Sequence, residues 1–287
     1  MNDLSPLPPT IVRPTIERAL IEDFGNSGDI TARLLIPESA TGSLVMRARE
    51  TGVIAGMQAA QMTYDLVDPS VTFEVLAPTG TSVDAGEIIA RISGPSRSLL
   101  SAERVALNFL GRMSGVATLT SKYVSLVEGS SARIAATRKT TPGLRALEKQ
   151  AVLAGGGFTH RESLSAAIMI KDNHIALAGG VDAALGAIKK NADHMAKVSV
   201  EVDTLDQLKK VLTWGPDVVL LDNMGPDMLK AAVKIAREFD GPTPTLEASG
   251  GVNLGTVKDL AETGVNVISI GALTHSAPNF DIGMDAA

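Results

Sequence analysis

The feature that most constrains the fold is a regular alternation of two kinds of segment after Gly115. Short apolar runs of strand length are separated by segments with helical periodicity. Strands that alternate with helices are typical of βαβ units, which build parallel sheets. The apolar runs cover residues 132–137, 166–170, 198–202, 217–221, 244–248 and 265–270, and the helical segments cover 144–154, 181–190, 205–213, 226–239 and 254–263.

Polar residues follow almost every one of these apolar runs. They include Arg138 and Lys139, Lys171, Glu201 and Asp222. Because the active-site groups of α/β barrels gather at the carboxyl ends of the parallel strands, this pattern favours a barrel. An open, doubly wound sheet is the alternative.

The first 115 residues predict a small α+β layer domain instead. An opening helix over residues 10–25 places Ile16, Leu20, Ile21 and Phe24 on one face. Because the chain is longer than one compact core needs, we expect two domains, residues 1–115 and 116–287. The other predicted elements of the first domain are strands within 43–56 and 71–94, a helix over 57–67 and a long helix over 98–113.

Composition excludes several classes of protein. The chain has no cysteine, so it has no disulfide, thiolate metal site or thiol nucleophile, and any metal must be bound by oxygen or imidazole. A net charge of -6 without a basic, aromatic-rich tract argues against a nucleic-acid partner. No apolar run approaches the roughly 18 residues that span a bilayer, and no leader is visible at the N-terminus. We therefore expect a cytoplasmic protein that does not enter a membrane.

A cationic cluster lies between residues 138 and 171. Arginine suits carboxylates because its planar fork donates two parallel hydrogen bonds, while lysine offers a point charge. Threonines and three consecutive glycines surround these cations, which is typical of a binding loop and not of a solvated helix face. The cluster indicates a site for multiply anionic substrates, although Arg145 lies in a predicted helix and could be a surface residue. Its members are Arg138, Lys139, Arg145, His160, Arg161 and Lys171.

Two glycine-containing segments follow the last two predicted strands. One follows Glu247 and reaches Gly251, and the other begins at Gly271. The last two strand-to-helix loops of many barrels bind phosphate through free backbone N–H groups. We expect phosphate-binding loops near residues 249–251 and 271–275, and tight turns without a ligand are the alternative.

The acidic residues Glu201 and Asp222 each end a predicted strand. Carboxylates placed there could hold Mg²⁺, which prefers oxygen ligands and often bridges to substrate phosphates. They could instead form ion pairs with Lys139 and Lys171 and leave no metal site.

The four histidines lack the spacing of a helical metal-binding pair. His160, His174 and His275 are predicted at strand ends, where a binding role is credible. A structural hydrogen bond is an alternative for His174. His194 is expected to be a surface residue.

Several motifs, in order along nearly the whole chain, resemble the quinolinate phosphoribosyltransferase family. The longest is TRKTTPGLR from Thr137 to Arg145, followed by His160-Arg161 and by IKDNHI from Ile170 to Ile175. Ser163 and Ala166-Ala167 depart from the family pattern without replacing a group that contacts substrate. The other matching motifs are Glu22-Asp23, Gly28–Thr31, Glu103–Asn108, Ala151-Val152, Gly155–Gly157, Glu201-Val202, Leu221–Met224, Glu247–Gly251 and Ile268–Ser276.

The resemblance implies a fold, a reaction and an assembly. The fold would be an N-terminal α/β sandwich domain followed by a seven-stranded, TIM-like α/β barrel. The reaction would join quinolinate to phosphoribosyl pyrophosphate, releasing pyrophosphate and carbon dioxide. The protein would be a homo-oligomer, at least a dimer, in which Arg104 enters the neighbouring subunit's site.

The resemblance also implies a role for each matching residue. Quinolinate would be bound by Arg138, His160, Arg161 and Lys171, together with Arg104 of the neighbouring subunit. Lys139, Glu201 and Asp222 would be catalytic, with Glu201 and Asp222 holding Mg²⁺ at the pyrophosphate. The 5′-phosphate would be bound by Ser249, Gly250, Gly271 and His275.

Two other functions are compatible with the residues alone. A Schiff-base aldolase or decarboxylase would use Lys171 or Lys139 as its nucleophile and would need no magnesium. A binding protein for phosphorylated ligands would keep the fold without turnover. Trapping with borohydride separates the first of these from a phosphoribosyltransferase.

Overall fold

The computed structural model describes residues 4–287, which form two compact units that interleave along the chain. The antiparallel unit contains the residues up to Ser121, together with Lys139–Gly157 and Leu273–Ala287. The barrel unit contains Lys122–Arg138 and Phe158–Ala272. In the described part of the chain, no helix is both long enough and apolar enough to cross a membrane.

The helices and strands are numbered in chain order. They are α1 (Pro9–Phe24), α2 (Ile30–Leu35), β1 (Thr41–Ala48), β2 (Gly52–Val53), α3 (Met57–Val67), β3 (Thr72–Val75), β4 (Ser82–Val83), β5 (Ile88–Pro95), α4 (Ser96–Leu126), β6 (Arg133–Ala135), α5 (Arg145–Ala154), β7 (Ile168–Ile170), α6 (Asp172–Leu177), α7 (Val181–Asn191), β8 (Val198–Val202), α8 (Leu205–Leu212), β9 (Val218–Asp222), α9 (Pro226–Glu238), β10 (Thr245–Ser249), α10 (Val257–Ala261), β11 (Val267–Ser269), α11 (Ala272–His275) and β12 (Ile282–Ala286).

The antiparallel unit is built on a four-stranded sheet in the order β12-β1-β5-β3. Its core joins residues of β1 and β5 to residues of α3 and α4, with Tyr64 and Leu110 among the fully buried side chains. The predicted helix over 57–67 is confirmed. The C-terminal strand β12, which sequence analysis does not identify, supplies one edge of this sheet.

Helix α1 is confirmed, but its predicted apolar face is partly wrong. The buried residues are Val12, Ile16 and Leu20, whereas Ile21 is 72% exposed. A spacing of four residues returns to the same side of a helix, while Ile21 is rotated by about 100° from Leu20. The buried stripe is therefore narrower than predicted.

The predicted helix over 98–113 is too short, because α4 continues to Leu126. Ser114 and Gly115, which follow the predicted end, lie inside this helix. In the structure a Cβ atom at Gly115 would lie 1.9 Å from the carbonyl oxygen of Pro278, so the glycine permits close chain approach. The hydroxyl of Ser114 is also engaged, since it accepts the N–H of Ala55 at 3.0 Å.

The barrel unit contains a parallel sheet in the order β6-β11-β10-β9-β8-β7. All of the apolar runs predicted as strands are confirmed. A parallel bridge joins Ala135 to Phe158, so a further strand position lies beside β6. One bridge is too short to produce a periodicity, which explains why the sequence indicates one strand fewer. The chain thus combines an α/β domain on an antiparallel sheet with an α/β barrel.

The predicted helices after residue 115 are confirmed, with one difference in length. Helix α10 is shorter than the predicted 254–263, because a turn precedes it. The side chain of Asn253 accepts the N–H of Gly255 at 2.9 Å, and its carbonyl accepts the N–H of Thr256 at 3.1 Å. A side chain that bonds to nearby backbone favours a turn over a helix.

Candidate active site

Residues from several barrel strands line a cavity of about 350 Å³ in the barrel unit. Ser199 and Glu247 contribute to the cavity wall, whereas Val200 and Ala248 are buried on the opposite face. Residues two apart on a strand share a face. Glu201 and Ser249 therefore lie on the inward face, at the carboxyl ends of β8 and β10.

Lys171 and Glu201 are brought together at this end of the barrel unit. Lys171 Nζ donates to Glu201 Oε2 in a short ion pair, and the Glu201 side chain is only 12% exposed. This is the pairing of Glu201 with Lys171 that sequence analysis gives as an alternative, and whether a metal also binds there stays a prediction. The ion pair fixes the position of the Lys171 ammonium group.

Asp222 and Ser249 are direct partners in the parallel pairing of β9 and β10. Both strands end in left-handed turns, with Asn223 at a φ of 54° and Gly250 at 91°. A Cβ atom at Gly250 would lie 2.1 Å from Asn223 Oδ1, so only glycine fits there. Asn223 Nδ2 donates to Asp222 Oδ2 at 2.7 Å and orients that carboxylate. Sequence analysis missed Asn223, although asparagine is a residue that tolerates this conformation.

Arg138 and Arg161 are neighbouring, half-buried cations. Burial, together with the positive charge of Arg138, lowers the pKa of the Arg161 guanidinium from its ordinary value. Arg161 Nη1 donates to the carbonyl of Ala167 at 2.9 Å, which fixes its direction. Two like charges in a partly desolvated place repel each other, and an anion that contacts both would relieve the repulsion.

His160 is held between two partners inside the barrel unit. Its Nδ1 accepts the backbone N–H of Arg161 at 2.8 Å, so the proton of the neutral ring is on Nε2. Nε2 lies 3.4 Å from Oε2 of Glu247. Glu247 is only 4% exposed, and among residues 4–287 its Oε1 has no hydrogen-bond partner. The sequence marks Glu247 only as a carboxylate near the end of a buried strand, and its contact with His160 was missed.

Three predicted site residues belong to the antiparallel unit. Lys139 and His275 have exposed side chains, and His275 Nδ1 lies 2.7 Å from the hydroxyl of Ser276. Arg104 lies on the exposed side of α4. Gly271 is in the barrel unit, in the turn between β11 and α11.

The remaining polar candidates have structural partners. His174 Nδ1 accepts the N–H of Lys171 at 3.0 Å, so the structural hydrogen bond expected as an alternative for His174 is confirmed. His194 is 88% exposed, as expected of a surface residue. Arg145 is half-buried and donates to the hydroxyl of Thr140 at 3.0 Å, which ties it to the loop after Lys139.

Glu201 and Asp222 fit a magnesium ion that a substrate helps to bind. The described part of the chain contains no cluster of three or more histidine and acidic residues, so a site made by protein ligands alone is not present there. Mg²⁺ commonly binds through one or two carboxylates, several waters and substrate phosphates. Two carboxylates at the ends of the paired strands β8 and β9 match that donor set.

Both parts of the chain match one protein family. Residues 29–114 match the N-terminal domain of quinolinate phosphoribosyl transferase, and residues 116–285 match its C-terminal domain.

Individual relatives agree over nearly their full length. A nicotinate-nucleotide pyrophosphorylase (carboxylating) of Mycobacterium leprae is 43% identical, over 95% of this chain and 96% of its own. A probable enzyme of the same name from Bacillus subtilis is 39% identical, over 96% and 93%. The solved nicotinate-nucleotide pyrophosphorylase of Francisella tularensis is 35% identical and superposes with a TM-score of 0.93, over 100% of both chains.

Proposed function

The chain belongs to the quinolinate phosphoribosyltransferase family, and on that basis we propose that it makes nicotinate mononucleotide for de novo NAD synthesis. It joins quinolinate to phosphoribosyl pyrophosphate and releases pyrophosphate and carbon dioxide. The observation that carries the proposal is that two half-buried cations, Arg138 and Arg161, are neighbours in the barrel unit. Two adjacent cations suit a substrate with two adjacent carboxylates.

Quinolinate is assigned to the inward face of the barrel unit. Arg138, Arg161 and Lys171 supply the positive charge, and Glu201 keeps the ammonium group of Lys171 in place. His160 and Arg161 line the cavity of the barrel unit, and the tautomer of His160 is set by Arg161 and Glu247.

Phosphoribosyl pyrophosphate is assigned to the carboxyl ends of the strands. Lys139, Glu201 and Asp222 act at the pyrophosphate and ribose. Glu201 and Asp222 also hold Mg²⁺, which when bound neutralises part of the pyrophosphate charge. The 5′-phosphate is bound by Ser249, Gly250, Gly271 and His275.

The first chemical step needs no general base from the protein. The pyridine nitrogen already has a lone pair and attacks C1 of the ribose as pyrophosphate leaves. Charge grows on the departing group, and Lys139 stabilises it more in the transition state than in the ground state. The rigid end of β9, where Asn223 orients Asp222, holds the sugar in line.

Decarboxylation follows from the positive charge on the ribosylated ring nitrogen. The bond from the ring to the adjacent carboxylate breaks, and its electron pair stays on a carbon beside that cation. A proton then takes the place of carbon dioxide. Arg138 and Arg161 keep the ring in place during this step by holding the carboxylate that remains.

The assembly and location extend the proposal. The exposed position of Arg104 on α4 suits a side chain that enters the site of a neighbouring subunit, so we assign a homo-oligomer, at least a dimer. We also assign the protein to the cytoplasm, without a nucleic-acid or membrane partner. Mixing an Arg104→Ala variant with a Lys139→Ala variant restores activity if two chains complete each site, and no activity after verified subunit exchange contradicts it.

One assay tests the reaction. Carbon dioxide and pyrophosphate are measured with quinolinate or nicotinate, with and without magnesium and phosphoribosyl pyrophosphate. Release of both products only with quinolinate, phosphoribosyl pyrophosphate and magnesium is the expected result. Turnover of nicotinate would assign a different activity. Ligand binding without turnover would favour a binding protein, and a borohydride-trapped lysine would favour an aldolase.

A further inference from the structure

A fully buried carboxylate in the antiparallel unit has no part in the proposed chemistry. Glu148, on α5, has no exposed side-chain surface, and its Oε1 lies 2.8 Å from Nη2 of Arg112 on α4. Burying an ion pair costs desolvation energy, which the attraction repays only when the remaining donors and acceptors are also satisfied. The contacts around this pair therefore indicate what it is for.

Among residues 4–287, the hydrogen bonds of the Glu148 carboxylate outside the ion pair both come from one loop residue. Oε1 accepts the hydroxyl of Thr141 at 2.7 Å, and Oε2 accepts the backbone N–H of the same residue at 3.0 Å. Thr141 lies two residues after Lys139. The carboxylate therefore fixes the chain directly beyond that lysine.

Arg112 fixes a second segment from the other side of the ion pair. Its Nη1 donates to the carbonyl of Ala277 at 3.0 Å, and its Nη2 makes a short contact with the carbonyl of Thr274. These two carbonyls lie on either side of His275. The hydroxyl of Thr274, itself fully buried, donates to the carbonyl of Lys139 at 2.8 Å and joins the two segments.

We propose that Glu148 and Arg112 are positioning residues that set the backbone of Lys139 and His275 for phosphoribosyl pyrophosphate. The side chains of Lys139 and His275 are exposed, while the backbone on which each depends is held by the buried network. This inference rests on the proposed function, because the anionic ligand of these two residues comes from it. The substrate affinity that depends on the network is that for the sugar pyrophosphate, and quinolinate affinity is independent of it.

The geometry requires a carboxylate at position 148. Arg112 and Thr141 present only donors to it, and both carboxylate oxygens accept. Glutamine has the same shape but one accepting oxygen, so its NH₂ group would face a donor. Glu148→Gln should therefore release either Thr141 or Arg112.

The test combines kinetics with hydrogen exchange. In Glu148→Gln, the KM for phosphoribosyl pyrophosphate should rise about tenfold or more, as expected for a lost charge-assisted contact. The KM for quinolinate should stay within about twofold, and exchange of the Thr141 amide should accelerate. An unchanged KM for phosphoribosyl pyrophosphate in the folded variant would overturn the inference.

Thr274→Val keeps the test decisive if Glu148→Gln does not fold. It removes only the hydroxyl that bonds the carbonyl of Lys139, and the same selective rise, of about three- to tenfold, is expected. An unchanged KM would again overturn the inference.

Asp68→Asn is the matched control. The Asp68 carboxylate in the same unit accepts from Ser70 and Ser98 and contacts neither loop. It should lower the melting temperature without changing either KM. Wild-type turnover, measured in the same assay, separates failure of this inference from failure of the proposed reaction.

Discussion

Each unit contains one nearly inaccessible glutamate, and the two differ in how completely their carboxylate oxygens are hydrogen-bonded. Glu148 in the antiparallel unit has both oxygens engaged by Arg112 and Thr141. Glu247 in the barrel unit has one oxygen without a partner among the described residues and a 3.4 Å contact to His160. A fully satisfied buried network rigidifies a fold, whereas an incomplete one costs free energy that function must justify.

The arginines of the two units repeat this contrast. Arg112 meets a carboxylate and two carbonyls, so its donors are matched by acceptors. Arg161 is half-buried beside a second cation, Arg138, and its pKa is lowered. The antiparallel unit thus encloses one cation with its acceptors, whereas the barrel unit places two cations near each other.

The largest effect should come from breaking the ion pair of Arg112 and Glu148, and it should be an effect on stability. Glu148→Ala leaves the charge of Arg112 without its partner and should lower the free energy of unfolding by about 3–5 kcal/mol. Urea denaturation measures this change. A loss of unfolding free energy below about 1 kcal/mol would mean that Glu148 contributes no more to stability than Glu247 does.

Removing a cation of the barrel unit should mainly affect substrate. Arg138→Ala and Arg161→Ala should each lower kcat/KM for quinolinate by about 30- to 150-fold, equivalent to about 2–3 kcal/mol for a charge-assisted contact. Arg13→Ala is the control, since Arg13 is exposed and pairs with Glu17 on the surface of α1. Steady-state kinetics that leave either barrel variant at the wild-type value remove that arginine from the site.

Changing Glu247, whose contact with His160 leaves one carboxylate oxygen unsatisfied, should affect the KM for quinolinate more than the stability of the fold. Glu247→Gln should leave the free energy of unfolding unchanged or higher, because a buried charge is removed, yet raise the KM for quinolinate about tenfold through His160. Arg13→Ala, on the surface of α1, is again the control and should change neither quantity. A loss of stability above about 2 kcal/mol in Glu247→Gln would assign Glu247 a structural role like that of Glu148.

The smallest effect on stability should come from the partly exposed carboxylate of Asp217. Hydrogen bonds from Lys197 and from the N–H of Val198 lower the pKa of Asp217. Its stabilisation is present above the ordinary carboxyl pKa of about 4 and is lost as the pH falls through the lowered value. Because water screens the pair, Asp217→Asn should cost only tenths of a kcal/mol at pH 7. Thermal unfolding should show this difference shrinking below about pH 4, and a difference that grows in acid would contradict the sign.

The barrel strands and their polar ends could be predicted from sequence because both are local signals. An apolar run such as 198–202 shows its own period, and Glu201 and Asp222 stand out because charge is rare at the end of a buried strand. The pairing of Lys171 with Glu201 also follows once parallel strands are assumed, since their carboxyl ends lie at one edge.

The features that sequence analysis missed depend on partners distant in the chain. Gly115 ends no helix because its neighbour is Pro278, and β12 pairs with β1 across most of the sequence. Arg112 and Glu148 look like ordinary helix-surface charges until the fold buries them together. Such contacts leave no periodicity, so only the structure identifies them.

The central claim is that the neighbouring cations Arg138 and Arg161 bind the carboxylates of quinolinate. The most direct measurement is the melting temperature of the wild-type protein and of Arg161→Ala, each with and without quinolinate. We predict that quinolinate raises the melting temperature of the wild type and leaves that of Arg161→Ala unchanged. An Arg161→Ala variant that quinolinate stabilises as much as the wild type would contradict the account.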